Sequence, residues 1–144
     1  MSPQPVNLVG GTGSPYTQKM AALLRYRRIP YVITWGQPEV ICEALGVAAP
    51  KPAFMPTFFF EQDGELAAHC DSTPIIRRLE AEHDGRSVLP EDPALAFIDY
   101  LIEDFADEWC TKYMFHYRWH FEADADNAGT KLPLSMDVSM PQEQ

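Results

Sequence analysis

Two helix starts carry the residue types in this sequence that are best suited to binding an anion. Ser14 precedes Pro15, and Asp71 and Ser72 precede Pro74. Serine favours the N-cap and proline favours the first turn, so each pattern predicts a helix N-terminus, with Ser14 and Ser72 as the caps. Such a terminus offers free N–H donors and partial positive charge, which stabilise a thiolate or a carboxylate. Each pattern is also consistent with a helix cap that has no chemical role.

A glycine-rich turn at residues 10–13 lies immediately before Ser14. It is similar to the phosphate-binding turn of dinucleotide-binding enzymes. The final glycine of that pattern would fall at Tyr16, whose side chain would block a pyrophosphate, and no acidic residue follows Trp35 to hold a ribose. We therefore interpret the glycines as a flexible turn.

The elements that must position these residues follow the order β-α-β-α-β-β-α. Apolar and β-branched runs predict strands at residues 6–9, 31–35, 57–60 and 65–69. Apolar residues at helical spacing predict helices at 15–28 and 38–48, and a third that begins at 71–74. The first strands must be parallel through right-handed crossovers, whereas the last two form an antiparallel hairpin. These patterns predict an α/β domain over residues 1–84 and a linker at 85–93.

This order, with a Ser-Pro-aromatic opening of the first helix, resembles the glutathione transferase superfamily and its glutaredoxin relatives. The resemblance covers about residues 5–84 and implies a thioredoxin-like βαβαββα domain. In the relatives with a Cys-Pro-Tyr-Cys motif, the redox cysteines stand at the positions of Ser14 and Thr17. Both sulfurs are absent here, so dithiol chemistry at this helix start is excluded.

The resemblance implies glutathione as a cosubstrate, with no metal. Ser14 would donate a hydrogen bond to the glutathione thiolate, and Tyr16 and Thr17 remain alternative contacts to the thiol. A cis bond before Pro56 would let the Met55 backbone pair with the cysteinyl part of glutathione, whereas a trans proline at a strand start is the alternative.

The Asp71-Ser72 pair corresponds to the family's acidic-serine motif at the start of its third helix. Asp71 would face the γ-glutamyl ammonium group, and Ser72 with the helix-start amides would receive the carboxylate. The three motifs are separated by 41 residues, from Ser14 to Met55, and by 16 residues, from Met55 to Asp71.

A long helical pattern occupies residues 94 to about 125. Its apolar positions recur every three or four residues: Leu95, Ile98, Ile102, Phe105, Trp109 and Tyr113. The resemblance implies that this is the first helix of an all-helical second domain. Residues 94–144 are therefore expected to form a partial helical domain, with an irregular tail after the helix.

Aromatic residues cluster near the end of this pattern and predict a buried seam. Its members are Trp109, Tyr113, His116, Tyr117, Trp119 and His120. The resemblance places Trp109, Tyr113 and His116 beside a hydrophobic electrophile. His116 and His120 share a helix face, but zinc needs a third ligand and the residue one turn earlier is Lys112, so we expect no metal site.

The composition restricts the cellular setting and the partners. The net charge of −10 argues against nucleic-acid binding, and residues 94–144 carry −7 of it, from 3 basic and 10 acidic side chains. The sequence has no apolar run of about 20 residues for a membrane span and no secretory signal pattern at its start. Three cysteines without a Cys-x-x-Cys motif predict free thiols in a reducing compartment, which we take to be the cytoplasm.

The leading hypothesis is a homodimeric, glutathione transferase-like enzyme that acts in detoxification on a hydrophobic electrophile. The alternative is a non-catalytic thioredoxin-like module for dimerisation or protein interaction. Reduction through a single thiol ranks last, because Cys42, Cys70 and Cys110 lie away from the first helix start. Residues 139–143 predict another helix start, so we expect a chain truncated within its second domain, with weak or absent conjugation.

Overall fold

The strands and helices come in the predicted order over the first part of the chain. The computed structural model describes residues 4–136. The strands are β1 (Val6–Gly10), β2 (Tyr31–Trp35), β3 (Thr57–Gln62) and β4 (Glu65–His69). The first three helices are α1 (Pro15–Arg27), α2 (Pro38–Leu45) and α3 (Ser72–Glu82). The α/β, thioredoxin-like arrangement with helices after it is confirmed.

The sheet has the order β2-β1-β3-β4. Strand β1 is parallel to β2, whereas β1 pairs with β3 and β3 pairs with β4 in antiparallel fashion. Val9, near the end of β1, pairs with Thr57 at the start of β3. The turn that follows β1 and the loop that precedes β3 therefore meet at one edge of the sheet.

Helices α1 and α3 cover one face of the sheet, and α2 covers the other. On the first face, Phe58 of β3 packs among buried apolar residues of both helices: Met20, Leu24, Ile75, Ile76 and Leu79. On the second face, Cys42 of α2 packs with Val9 and Phe59. The alternation of side chains along each strand divides the core in this way.

The segment predicted as a linker, residues 85–93, is tied to the α/β unit by Arg27 and Glu80. The buried guanidinium of Arg27 pairs with Glu80 at 3.1 Å and donates to the carbonyl of Arg86 at 3.0 Å. Glu80 also accepts the backbone N–H of Val88 at 3.1 Å. These bonds hold the segment against α1 and α3.

The helical part differs from the prediction of one helix to about residue 125. It consists of α4 (Pro93–Phe105), a π-helical turn (Ala106–Cys110), α5 (Thr111–Trp119) and α6 (Glu122–Met136). A bend at residues 120–121 ends α5, and the Phe121 carbonyl accepts the N–H groups of Asp124 and Ala125 as α6 starts. No helix among residues 4–136 is long and apolar enough to cross a membrane.

The predicted irregular tail is wrong for residues 126–136, which are helical. The sequence there has no clear helical periodicity, and Gly129 and Pro133 are both unfavourable inside a helix. Helix α6 nevertheless buries Ala128 and packs Leu132 against Gly13 of the α/β unit. Tertiary packing of this kind outweighs local propensity. The helix start predicted at 139–143 lies outside the described residues.

The predicted buried aromatic seam is also wrong. The side chains of Trp109 and Tyr113 are 58% and 55% exposed, and Tyr117 and Trp119 are exposed as well. Periodicity predicted one buried helix face, but these aromatic side chains stay largely exposed in the described part of the chain. The same holds for the apolar positions Leu95, Ile98, Ile102 and Phe105 of α4.

Candidate functional site

A cleft of about 440 Å³ lies where the turn after β1, the loop before β3, the start of α3 and the π-helical turn converge. Its lining residues are Ser14, Tyr16, Phe54, Met55, Pro56, Asp71, Ser72, Asp107 and Glu108. Six of the seven residues predicted for catalysis or glutathione binding are in this list, and Thr17 is not. Phe54, Asp107 and Glu108 were not predicted.

Ser14 is the N-cap of α1, as predicted. Its Oγ accepts the backbone N–H of Thr17 at 3.2 Å, and its hydroxyl lies 3.5 Å from the Met55 carbonyl oxygen. That second contact is at the long limit for a hydrogen bond between oxygen atoms, so it holds the hydroxyl proton only weakly. The proton is therefore available to a ligand atom in the cleft.

Thr17 lies in the interior, where its side chain cannot contact a ligand in the cleft. It is fully buried, and its Oγ1 accepts the Gly11 N–H at 3.3 Å. A Cβ on Gly10 would lie 2.5 Å from the Thr17 methyl carbon, so Gly10 must lack a side chain. Gly10 and Thr17 therefore stabilise the turn before Ser14.

The Tyr16 hydroxyl forms a hydrogen bond with the helical part of the chain. It donates to the backbone carbonyl of Asp107 at 2.8 Å. Burial and the negative charge of Asp107 raise the pKa of Tyr16, so the hydroxyl stays protonated and remains a donor. Its proton is already shared with Asp107, which leaves Ser14 as the freer hydroxyl at this helix start.

The Met55–Pro56 peptide bond is cis, as the resemblance implied, and so is the Lys51–Pro52 bond. The loop before β3 is held by the Thr57 hydroxyl, which donates to the Phe54 carbonyl at 2.7 Å. A Cβ on Gly11 would lie 2.9 Å from the Met55 sulfur, so the glycine makes room for Met55 beside the turn.

The cap of α3 is Asp71, and not Ser72 as predicted. The Asp71 carboxylate accepts the Thr73 N–H at 3.2 Å, because an aspartate side chain can reach the N–H two residues on. Ser72 is the first helical residue and is buried. Its hydroxyl donates to the Asp107 carboxylate at 3.2 Å and accepts from Lys19 at 2.9 Å.

Lys19 lies behind the cleft between two carboxylates of the helical part. Its ammonium group contacts Asp107 at 2.7 Å and Glu103 at 2.8 Å. Burial alone would lower the pKa of Lys19, but the hydrogen bonds and charges of the two carboxylates outweigh it and raise that pKa.

The pKa of Glu103 is shifted in the opposite direction to that of Lys19. Burial alone would raise its pKa, but hydrogen bonds from Lys19 and Thr73 with the lysine charge lower it. Sequence reasoning missed this group because Glu103 and Asp107 are 84 and 88 residues from Lys19.

The cleft is acidic. Three of its nine lining residues are carboxylates (Asp71, Asp107 and Glu108), and none is lysine or arginine. The π-helical turn contributes two of the three. Such a surface attracts a positively charged ammonium group of a ligand and repels a ligand carboxylate.

The residues predicted for an electrophile pocket lie outside the cleft. Trp109, Tyr113 and His116 are exposed and do not line it. The rings of His116 and His120 stack with centroids 4.6 Å apart. Within the described residues, no group of three or more metal-binding side chains is placed to hold an ion.

The three cysteines do not line the cleft either. Cys42 is buried, and burial, with the charge of Glu39, raises the pKa of its thiol. Cys70 and Cys110 are partly buried. Because none of them lines the cleft, reduction through a single thiol remains the least favoured of the three hypotheses.

Comparison with known proteins agrees with the fold. Residues 8–87 match the family model described as Glutathione S-transferase, N-terminal domain. The match begins within β1 and includes the whole of β2, β3 and β4 and helices α1 to α3. A search of the curated proteins found no match.

Proposed function

Because this chain belongs to the glutathione S-transferase family, we propose that it binds glutathione in the cleft and activates the glutathione thiol for attack on a small electrophile. One observation carries the proposal: Ser14, Met55 and the Asp71-Ser72 pair, which come from three separate parts of the chain, line one cavity. Glutathione is here a cosubstrate, and no metal takes part in the proposed reaction.

In this mechanism the N-terminus of α1 lowers the pKa of the bound thiol. A free thiol has a pKa of about 8.5, and positive potential at a helix N-terminus favours the thiolate. The thiol proton passes to solvent, and the Ser14 hydroxyl donates a hydrogen bond to the resulting anion. The thiolate sulfur then forms a bond to the electrophilic carbon. The leaving group departs with its electron pair, or an addition product takes up a proton.

The remaining cleft residues would bind the rest of glutathione. Met55 lines the cleft beside a cis-proline, and its backbone would pair with the cysteinyl unit as an added strand does. The N-terminus of α3 would receive the γ-glutamyl carboxylate through the Ser72 backbone N–H, because the Ser72 hydroxyl already donates to Asp107. Asp71 would face the ammonium group, with Asp107 as a second carboxylate at that end.

Replacement of Ser14 tests the mechanism. We expect Ser14→Ala to bind glutathione within about threefold of the wild type but to lower kcat by roughly 10- to 100-fold, as loss of a charge-assisted hydrogen bond implies. The measurements are a calorimetric glutathione titration, the ultraviolet absorbance of the bound thiolate, and conjugation to an activated aryl halide. Ser87→Ala, in the exposed segment after α3, is the matched control.

Two outcomes would count against the proposal in different ways. Unchanged turnover in Ser14→Ala would remove Ser14 from the mechanism, whereas no glutathione binding by the wild type at millimolar concentration would remove the function itself.

Because loss of the N-cap costs about 0.5–2 kcal/mol with alanine but only a few tenths with glycine, Ser14→Gly separates lost chemistry from lost stability.

The partners and setting of the enzyme are part of the same proposal. We infer a cytoplasmic homodimer with a role in detoxification, and the exposed apolar residues of α4 support the dimer. Trp109, Tyr113 and His116 are proposed for the electrophile side, since they lie on the helical segment that flanks the cleft and their exposed rings would be covered by a hydrophobic molecule.

A second candidate is a non-catalytic module that dimerises or binds a protein. The observation in its favour is the uncovered apolar surface of α4, where Phe97 and Ile102 are 62% and 63% exposed. Exposed apolar patches of this kind mark interaction sites. Light scattering with a glutathione titration separates the candidates: a stable dimer that binds no glutathione at millimolar concentration favours the module.

A further inference from the structure

Arg118 of α5 reaches across to the turn that precedes Ser14. Its Nη2 donates to the backbone carbonyl of Gly13 at 2.9 Å, although the two residues are 105 positions apart in the chain. Arg118 is partly buried and is not among the residues that line the cleft. It therefore contacts the site from behind.

Helix α6 packs against the same turn. A methyl group placed on Gly13 would overlap the side chain of Leu132, so the helix approaches the turn as closely as a glycine allows. Ala128, one turn earlier on α6, is buried. Arg118 and Leu132 thus enclose Gly13 from two helices.

The carbonyl that Arg118 binds belongs to the peptide group between Gly13 and Ser14. The N–H of that group is the Ser14 N–H, which donates to the Gly11 carbonyl at 3.1 Å. The peptide plane is consequently held at both ends, by Arg118 at its oxygen and by Gly11 at its nitrogen. Because these two bonds restrain rotation of the planar peptide group, they also restrain the direction of the Cα–Cβ bond of Ser14.

We propose that Arg118 is a positioning residue, which orients the Gly13–Ser14 peptide so that the Ser14 hydroxyl points at the ligand thiol. This inference rests on the proposed function. The guanidinium suits the task because a charged donor binds a carbonyl more strongly than a neutral one. A displacement of about 1 Å in a reacting group can lower a rate by two orders of magnitude.

The test compares Arg118→Met, which keeps the length of the side chain but removes its donors, with Arg118→Lys, which keeps a charged donor. We expect Arg118→Met to lower kcat roughly 10-fold with KM within about threefold, and Arg118→Lys to recover part of the loss, because remote positioning acts on the transition state more than on binding. Arg25→Met is the control, since Arg25 bonds the exposed Tyr31 hydroxyl instead.

A double variant provides the readout that a merely structural role would not reproduce. If Arg118 acts through the Ser14 hydroxyl, Arg118→Met should have little further effect on kcat in a Ser14→Ala background. Multiplied losses in the double variant, or unchanged kcat in Arg118→Met, would overturn the inference.

The controls distinguish this failure from failure of the proposed function. A wild type that binds glutathione and conjugates it, with Arg118→Met equally active, overturns only the role of Arg118. A wild type that binds no glutathione overturns the function on which the role rests. If Arg118→Met does not fold, Arg118→Gln takes its place, because it removes the charge of the side chain. Wild-type kcat with a wild-type thiolate titration in Arg118→Gln would then overturn the role.

Discussion

Glu103→Gln tests the contact that fastens the helical part of the chain to the α/β unit. Glu103 accepts from the Lys19 ammonium at 2.8 Å and from the Thr73 hydroxyl at 2.7 Å, so one carboxylate joins α4 to both α1 and α3. Glutamine has the same size and keeps one acceptor oxygen, but it removes the charge. The substitution therefore isolates the electrostatic part of the contact.

The magnitude follows from the number of bonds and their exposure. A hydrogen bond to a charged group contributes about 1.5–3 kcal/mol, roughly twice a neutral one, so the loss is about half of that for each of two bonds. The Glu103 side chain is 24% exposed, which places the pair between surface ion pairs and buried ones. The two losses sum to about 1.5–3 kcal/mol before the discount for partial exposure, so we expect the free energy of unfolding to fall by about 1–2 kcal/mol at pH 7.

Urea denaturation followed by tryptophan fluorescence and circular dichroism measures this change. Glu82→Gln is the matched control, since Glu82 also accepts from a cation, Arg78, at 2.6 Å but is 43% exposed. Its loss should be about 0.3–0.5 kcal/mol, as for an exposed pair one helical turn apart. Equal losses in the two variants would refute the reasoning from burial.

The dependence on pH supplies an independent check. The folded-state pKa of Glu103 is lowered from its ordinary value of 4.5, so its contribution is present above pH 4.5 and disappears as the pH falls through the lowered pKa. The wild type and Glu103→Gln should therefore converge in stability in the acid range. A difference that persists undiminished after the carboxylate is protonated would show that shape, and not charge, accounts for the loss.

Two further substitutions test the α/β unit. Thr17→Val should destabilise the protein by about 1–3 kcal/mol, because it leaves the Gly11 N–H without its partner in the interior, and equal urea midpoints for wild type and variant would contradict this assignment. Phe58→Ala should cost about 3–5 kcal/mol, since the ring is fully buried between the sheet and two helices, whereas Phe97→Ala on the exposed face of α4 should cost far less in the same urea titration.

The α/β unit was predictable because its signals are local. These signals are the apolar and β-branched runs of the strands, the helical periodicities, and serine and proline at the α1 start, and all of them act between near neighbours in the chain. The parallel and antiparallel pairings then followed from connection lengths. The prediction of Ser72 as the cap of α3 was wrong even though the signal is local. Asp71 and Ser72 are both good caps, and only the backbone geometry distinguishes them.

The helical part was less predictable, because periodicity predicts which residues share an apolar helix face but not which element packs against that face. The aromatic residues from Trp109 onward repeat at core spacing, yet the structure exposes them. Helix α6 forms across Gly129 and Pro133, where local propensity favours a break, because Ala128 and Leu132 pack toward the turn before Ser14.

The residue types at the cleft, and the order in which they occur, were readable from the chain alone. Ser14, Met55 and Asp71 stand at the ends of locally specified elements, and the sheet brings such ends together. Tertiary structure decided which hydroxyl is available, since it buries Thr17 and bonds Tyr16 to Asp107. These outcomes depend on partners as many as 91 residues away, and no local pattern encodes a contact over that separation.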